Sequence, residues 1–560
     1  MTFLPIVERE LRVATRRPGT YRARWFAAMG MMAVWLLLFA VNRRVSAAEL
    51  NKTLFMALGI LALGGCLLAG IFLTADCLSE EKREGTIGLL FLTDLRGYDV
   101  VLGKLVATSM HSVYGLLAML PVLALPLMMG GVTVGEFWRV VLVLVTTLFL
   151  SLSMGMFVSA AVRDARQAMA GTLLGLVVMA GLPPAVRWLG FILFHIWPAG
   201  VVVWPSSVCA FVAALDAACR GYNGAYDFWM SLLTASWVSL GLLVTAAVWL
   251  PRAWQDRAGG IHGGGATVRQ CDQGSAPGFH GRSRLPQSPG ADPYLWLASR
   301  ARSSDPLARL LLGLILVLWL CFLAAALVLD DGKSAFVLCL FTAYAVHQVG
   351  KYLVALEATR QLSEDRRSGA LELLLVTPLP EAQILSNQKL ALRKRSRGVQ
   401  RVLLLVNAGM CLAVIARPKQ LSMSPTDQAI FLEIFLGGTL VLLLDFKALQ
   451  TVGTWMALRA RRHHRAVLGT LGRVMLVPWV GIFLLVFLGM TGSFGPSEEG
   501  LAIVFALWFM AGIVTDLVVS AEARTRLGRG LRYWVAGGKL AGAQVAFAAL
   551  GPSTVKALTA

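Results

Sequence analysis

The sequence is short of charged residues. Only 15% of its 560 residues are Asp, Glu, Lys or Arg, and 57% are hydrophobic, whereas soluble globular proteins are about 25% charged and about 45–50% apolar. This composition excludes a soluble multidomain enzyme. Acidic residues are the scarcer kind, 31 against 51 basic ones, so the formal net charge is +20. Such an excess is typical of nucleic-acid binding or of the cytoplasmic loops of a membrane protein. The apolar composition favours the second, and we expect no nucleic-acid partner.

The sequence also lacks the usual motifs of metal and nucleotide sites. No pair of its eight cysteines has C-x-x-C spacing, and there is no H-E-x-x-H. The nearest approach to G-x-x-x-x-G-K-[ST] is Gly332-Lys333-Ser334, with Leu327 in place of the first glycine. We therefore expect no metal, no bound cofactor and no ATP hydrolysis by this chain. His463-His464 lies in a run of arginines, which favours a solvated basic patch over a metal site.

Long apolar runs predict an all-α polytopic membrane protein. A hydrocarbon core of about 30 Å needs roughly 20 apolar residues per helix, and about 12 such stretches are present. They are residues 25–41, 54–75, 105–130, 138–162, 168–195, 228–250, 307–329, 335–357, 399–416, 429–458, 466–490 and 501–519. Residues 252–292, rich in Gly, Ser, Pro and Arg, predict a flexible linker between two sets of six.

The distribution of Lys and Arg predicts the orientation. These residues concentrate on one side of the predicted spans, as in Arg393-Lys394-Arg395 and in the basic linker, and such clusters remain in the cytoplasm. We therefore expect a multi-pass protein of the bacterial inner membrane with both termini in the cytoplasm. Cys209 and Cys219 then lie in an external region, where unpaired thiols are favoured over a disulfide.

One segment occurs twice. Residues 78–95 align without gaps on residues 362–379, an offset of 284, and nine of the eighteen positions are identical. Further anchors keep the same order: Pro5 and Pro18 match Pro293 and Pro306, and Gly155 and Gly171 match Gly453 and Gly469. The pattern predicts two six-span halves in tandem. Because each half has an even number of spans, they are parallel repeats related by an axis along the membrane normal.

The repeated segment follows the second span of each half. A charged run is expected to extend that span into water, and Gly85 or Gly369 then ends the helix with positive φ. The short apolar piece that follows, residues 87–92 or 371–376, is about 10 Å long as a helix and cannot cross a membrane. Two interpretations stay open on this physics: it packs against lipid or its own bundle, or it docks into a groove on a cytosolic partner.

This segment resembles the coupling segment of type-2 ATP-binding-cassette (ABC) exporter permeases. The resemblance rests on Glu-Glu-Lys-Arg-Glu-Gly-Thr-Ile-Gly-Leu-Leu-Phe-Leu-Thr-Asp-Leu at residues 80–95, with a second copy at residues 364–379. It implies coupling helices at about residues 80–93 and 364–377, each seated on a separate ABC ATPase subunit that carries ATP and Mg. The implied partner-binding residues are Glu80, Glu81, Arg83, Gly85, Thr86, Leu89, Leu90 and Thr93, then Glu364, Asp365, Arg367, Gly369, Leu373, Leu374 and Thr377.

The resemblance also implies the division of the chain. Residues 1–251 form the first permease half, 252–292 the linker, 293–521 the second half, and 522–560 a cytosolic tail. One fused chain then replaces the usual permease dimer. The second copy departs from the first at Ser386-Asn387-Gln388-Lys389, which stands where the first has Leu102-Gly103-Lys104.

Ionisable groups within the spans are the remaining candidates. Asp445 and Lys447 in the tenth span lie two residues apart and point to different faces, so only Asp445 is a candidate for the substrate path or gate. His347 and Lys351 lie in the eighth span. The implied function is export of an amphipathic or lipid-like solute. The alternatives are a membrane glycosyl- or acyl-transferase acting on a lipid-linked substrate, and an ion-driven carrier, which would need more intramembrane charge.

Overall fold

A computed structural model gives the fold. It describes residues 19–41, 47–92, 96–184, 186, 206–215, 222–255, 294–295, 298, 306–328, 332–416, 424–460, 463–479, 498–528 and 530–532. Within these ranges the regular elements are helices, and no strand occurs. The predicted all-α fold is confirmed for this part of the chain.

The first set of helices contains ten elements. They are α1 (Gly19–Val41), α2 (Ala47–Ala69), α3 (Cys77–Glu84), α4 (Thr86–Phe91), α5 (Gly97–Leu123), α6 (Leu125–Met128), α7 (Val134–Ala161), α8 (Ala165–Leu176), α9 (Ser207–Leu215) and α10 (Tyr222–Gln255). A π-helical turn at Gly70–Thr74 follows α2, and another at Val177–Gly181 follows α8.

The second set repeats much of this order. Its helices are α11 (Pro306–Val328), α12 (Gly332–Arg367), α13 (Ala370–Val376), α14 (Glu381–Ala416), α15 (Pro425–Arg459), α16 (His463–Leu471) and α17 (Glu498–Leu527). A π-helical turn at Gly472–Leu476 follows α16, as one follows α8. Helix α14 begins at Glu381, 284 residues after the start of α5 at Gly97, so the offset of the repeated segment continues into the next span.

Nine helices in the described ranges are long and apolar enough to cross a membrane. They correspond to all the predicted spans except the first, eighth and eleventh. The first is represented by a shorter apolar stretch, Ala27–Phe39. The eighth lies in α12, which carries His347, Gln348 and Lys351 in mid-helix. The eleventh extends from α16 beyond the described residues, as does the linker after Gln255.

Two close helix contacts account for the repeated glycines Gly155 and Gly453. A Cβ atom at Gly155 of α7 would lie 2.1 Å from Thr74 Oγ1 and 2.7 Å from the carbonyl oxygen of Gly70. A Cβ at Gly453 of α15 would lie 2.7 Å from the Cβ of Ala358 in α12. In both places the helix that leads to the repeated segment crosses its neighbour at the glycine, where only a residue without a side chain fits.

Each set of helices has its own hydrophobic core, and the core of the second set includes residues of the first. A Cβ at Gly171 of α8 would lie 3.2 Å from Leu307 in α11. The rings of Phe72 and Tyr352 meet edge to face with centroids 6.4 Å apart. The buried core of the second set also includes Met169 of α8. Contacts through α8, the first π turn, α11 and α12 therefore join the two sets.

Two predicted boundaries fall inside helices. The linker was predicted to begin at residue 252, but α10 continues to Gln255. The tail was predicted from residue 522, but α17 continues to Leu527, and Leu531 beyond it is buried. The backbone N–H of Leu531 donates to Glu381 Oε2 at 2.6 Å, so the end of the described chain is attached to the start of α14.

Candidate functional site: the coupling segments and the charges around them

Both repeated segments have the same local geometry. Helix α3 ends at Gly85, whose φ is 71°, and α12 ends just before Gly369, whose φ is 76°. The short helices α4 and α13 begin at the residues after these glycines. The left-handed conformation favours glycine because a Cβ atom would clash with the backbone. The predicted glycine stop and the short apolar helix after it are confirmed in both segments.

Each short helix has one buried and one exposed apolar side. The equivalent residues Ile87 and Leu371 are buried against their own bundles. Leu92 is 80% exposed, its equivalent Val376 is 86% exposed, and Leu373 is 73% exposed. Exposed apolar side chains of this size at the ends of two short helices are typical of binding surfaces. One side of each piece therefore packs against its own bundle, as the first interpretation expects, and docking of the other side on a partner stays a prediction.

Other predicted residues of the two segments differ in exposure, and two of them bond within their own segment. Leu374 is half-buried and Thr377 is exposed. The Thr377 hydroxyl donates to the carbonyl oxygen of Leu374 at 2.6 Å, and that of Thr86 donates to the carbonyl oxygen of Glu81 at 3.3 Å. The side chains of Leu89 and Leu90, and all of Thr93, lie outside the described residues.

A basic side chain in each repeated segment binds the C-terminal end of a long helix in the same set. Lys82 donates to the carbonyl oxygen of Ala160 at the end of α7, and Arg366 donates to that of Leu458 at the end of α15. Lys82 and Arg366 occupy equivalent positions in the repeat. Because these carbonyl groups at a helix C-terminus have no intrahelical partner, each bond satisfies the helix end and fixes the segment against it.

Several members of the charged run form ion pairs with residues outside it. Glu80 pairs with Arg367 of the other segment at 3.1 Å, so the two segments contact each other directly. Glu81 pairs with Lys104 of α5 at 2.5 Å. Arg83 pairs with Asp76 at 2.8 Å.

A second group of ion pairs between the two sets was missed by the sequence reading. Glu357 of α12 bonds to Arg166 of α8 and to Arg395 of α14 at 2.7 Å, and all three side chains are nearly buried. Arg360 lies 3.6 Å from Asp164, the N-cap residue of α8. The sequence feature that could have identified Glu357 is its position at the end of a predicted span. Its partners lie 191 and 38 residues away, so no local spacing could identify them.

The two segments differ in the partner of one acidic residue. The position of Lys104, the partner of Glu81, is occupied in the second segment by Gln388, which accepts a hydrogen bond from Tyr294 at 3.2 Å. Asp365 is the equivalent of Glu81. Burial, with the nearby Glu364 charge as a smaller cause, raises the pKa of Asp365 to about 6, and Arg360 offsets this only in part. The second segment therefore titrates near neutral pH.

This raised pKa predicts a pH dependence. The folded protein holds the Asp365 proton more tightly than the unfolded chain, whose carboxyl pKa is 3.8. The contribution of Asp365 to stability is therefore full below about pH 4 and is lost as pH rises through about 6, at a cost of at most about 3 kcal/mol. We expect Asp365→Asn to reduce the fall in the denaturation midpoint between about pH 5 and about pH 7.5. An unchanged slope would contradict this, and Glu372→Gln on the exposed side of α13 is the control.

His463 is buried, which corrects the solvated patch predicted for it. Its Nδ1 lies 3.4 Å from the hydroxyl of Ser363, a residue of the repeated segment. Burial lowers the pKa of His463 to about 4, so the ring is neutral at physiological pH. Within the described part of the chain no group of three His, Cys, Asp or Glu side chains could hold a metal ion. Cys219 lies outside this part, so pairing with Cys209 stays open.

Asp445, the one intramembrane candidate, lies 4% exposed in α15. Its partner is Lys351 of α12, with Nζ 2.5 Å from Oδ2, and Lys447 faces away and is exposed. The sequence reading named His347, Lys351 and Asp445 separately, and the structure brings the latter two together. It missed Asp516 of α17, a buried carboxylate one turn beyond Gly512, where α17 crosses α15 near Val441. The sequence feature that could have identified Asp516 is that an acidic residue lies inside the last predicted span.

Comparison with protein families agrees with this geometry. Residues 2–197 match the family model described as ABC-2 type transporter. Residues 2–197 carry an ABC-2 type transporter membrane domain. They include the first repeated segment, so the resemblance to a type-2 ABC permease is confirmed for this part of the chain. The match points to a multi-pass transport subunit rather than a catalytic enzyme. ABC-2 permeases work with ABC ATPase subunits in a membrane. No curated protein matches the chain.

Proposed function

We propose that this ABC-2 permease exports an amphipathic or lipid-like solute, and that its single chain supplies both halves of the pathway. Two separate ATPase subunits, which carry ATP and Mg, dock on the two coupling segments. The protein lies in the bacterial inner membrane with both termini in the cytoplasm. The proposal is supported most directly by one observation: Leu92 and Val376, at equivalent positions of the repeat, are both exposed at the ends of short helices whose other side is buried.

The contacts of the segments suggest how ATP binding acts on the membrane helices. The helix before each short helix reaches the membrane, and its Lys82 or Arg366 donates to the C-terminal end of α7 or α15. A force on α4 or α13 is therefore transmitted to α7 or α15 as well. The Glu80–Arg367 pair joins the two segments, so ATPase closure moves both halves against each other about this contact.

The docking role is tested by placing charge on the exposed side of each short helix. We expect Leu92→Asp together with Val376→Asp to reduce co-purification of the ATPase subunit by about tenfold or more, because a carboxylate would lose its hydration in an apolar groove. The separate single variants show whether the two segments contribute equally.

Met128→Asp is the matched control. Met128 is also an exposed apolar residue, but it lies in α6, at the opposite end of α5 from the coupling segment. It should leave co-purification unchanged. If the double variant retains the ATPase as the wild type does, or if no ATPase accompanies the wild-type chain, the proposal fails.

A further inference from the structure

Three charged side chains meet inside the second half, where ionised groups are costly. Lys351 of α12 and Asp445 of α15 form an ion pair. Asp516 of α17 lies near them, because α17 crosses α15 one turn earlier, where a Cβ at Gly512 would lie 3.3 Å from Val441. Asp516 is only 2% exposed, and neither of its carboxylate oxygens has a hydrogen-bond donor among the described residues. Asp516 therefore lacks the partner that a buried carboxylate requires.

The charges of this group do not balance. One ammonium and two carboxylates leave one net negative charge, and an uncompensated buried charge costs several kcal/mol even after relaxation. The other charged groups of the neighbouring helices do not supply the missing cation. Lys447 on α15 is exposed, and Arg473 on the π turn packs on the ring of Trp455 and donates to Gly469.

The other ionisable groups nearby do not neutralise this net negative charge either. His347 lies one turn from Lys351, on the side of Asn407, with which it is in hydrogen-bond contact. Asn407 in turn donates to Thr439 at 2.8 Å. Glu522 lies nearly two turns beyond Asp516 on α17 and adds negative charge.

We infer that Asp445 and Asp516 form a binding site for one monovalent positive charge, occupied by a proton shared between the two carboxyl groups. The protonated group donates its O–H to the other carboxylate, and Lys351 neutralises the charge that remains. The proximity of the two buried carboxyl groups favours this, because two ionised carboxylates are both acceptors and repel each other. When the site opens, the proton passes to water and leaves both groups ionised.

The site belongs to the second half only. At the offset of the repeated segment, His347 and Lys351 correspond to Leu63 and Leu67, and at the offset of 298 that joins Gly155 to Gly453, Asp445 corresponds to Thr147. The last span of the first set, from Phe228 to Pro251, contains no acidic residue. Separation of α15 from α17 would therefore release one proton from the second half, and the first half has no equivalent proton to release. The two halves therefore respond differently to pH.

Infrared spectroscopy of the full chain in lipid nanodiscs tests the site. We expect a carbonyl stretching band of a protonated carboxylic acid at neutral pH, shifted in heavy water. The band should be lost in Asp516→Asn and also in Asp445→Asn, because either change removes one member of the pair. It should remain in Asp427→Asn, which alters an N-cap contact at the start of α15.

Two other results would overturn the inference. A band that is absent in the wild type, or that survives in both pair variants, overturns it. A band that appears only when sodium is replaced by a large organic cation shows that the site takes a metal ion, which overturns the shared proton. Retained folding of Asp516→Asn is expected, since its amide donates as the protonated acid does. The measurement involves no ATPase, so its failure is separate from failure of the proposed export function.

Discussion

Replacing Glu357 by Gln is expected to lower the free energy of unfolding by about 3–5 kcal/mol. The carboxylate lies between Arg166 of the first set of helices and Arg395 of the second. Gln keeps the shape of the side chain but removes the negative charge that both guanidinium groups share in a poorly solvated place. Denaturant titration of the purified protein, followed by tryptophan fluorescence, measures the change.

The matched control is Glu522→Gln. Glu522 pairs with Arg526 at 3.6 Å across one exposed turn of α17, and such surface pairs contribute less than about 1 kcal/mol. A loss at Glu357 no greater than that at Glu522 would show that the Arg166–Glu357–Arg395 group does not hold the two halves together.

Gly155→Ala is expected to destabilise the first set of helices by about 1–3 kcal/mol, because the new Cβ would overlap atoms of a tightly packed neighbouring helix. The new Cβ would lie 2.1 Å from Thr74 Oγ1 and 2.7 Å from the backbone oxygen of Gly70. The helix that carries the coupling segment would have to move away from α7. Gly64→Ala in α2, where nothing lies within 4 Å, is the control and should be close to neutral. The same denaturant titration reports both.

The equivalent crossing in the second set provides a rescue. Gly453→Ala should also destabilise, because its Cβ would lie 2.7 Å from that of Ala358. Adding Ala358→Gly removes the second Cβ and should recover most of the lost stability. Residues in contact are expected to show such non-additive effects in a double-mutant cycle. Additive losses in the double variant would contradict the close crossing.

The features that sequence predicts best here depend on local chemistry. The spans are visible because about 20 consecutive apolar residues have few other stable arrangements. The stops at Gly85 and Gly369 are visible because a charged run, a glycine and a short apolar piece recur at one offset. The burial of Ile87 and Leu371 and the exposure of Leu92 and Val376 could not be predicted, since all four lie in the same apolar pieces and only the packing of the bundle separates them.

Charged residues show the same limit. The run that begins at Glu80 was expected to pair its mixed charges along its own helix, and its partners also include Arg367, from the other segment. His463 was assigned to a basic surface because its neighbours in sequence are charged and is instead buried beside Ser363. Local composition gives the sign of the charge, whereas the partner depends on which helices become neighbours.

The sequence by itself determined that this chain is an α-helical membrane protein with two like segments, because apolar length and a repeated motif are properties of neighbouring residues. Only the tertiary structure decided which side of each segment is exposed, which charges join the two halves, and that Asp445 and Asp516 meet beside Lys351. These contacts connect residues far apart in the chain. Their energies depend on burial and on the approach of helices, which no local pattern specifies.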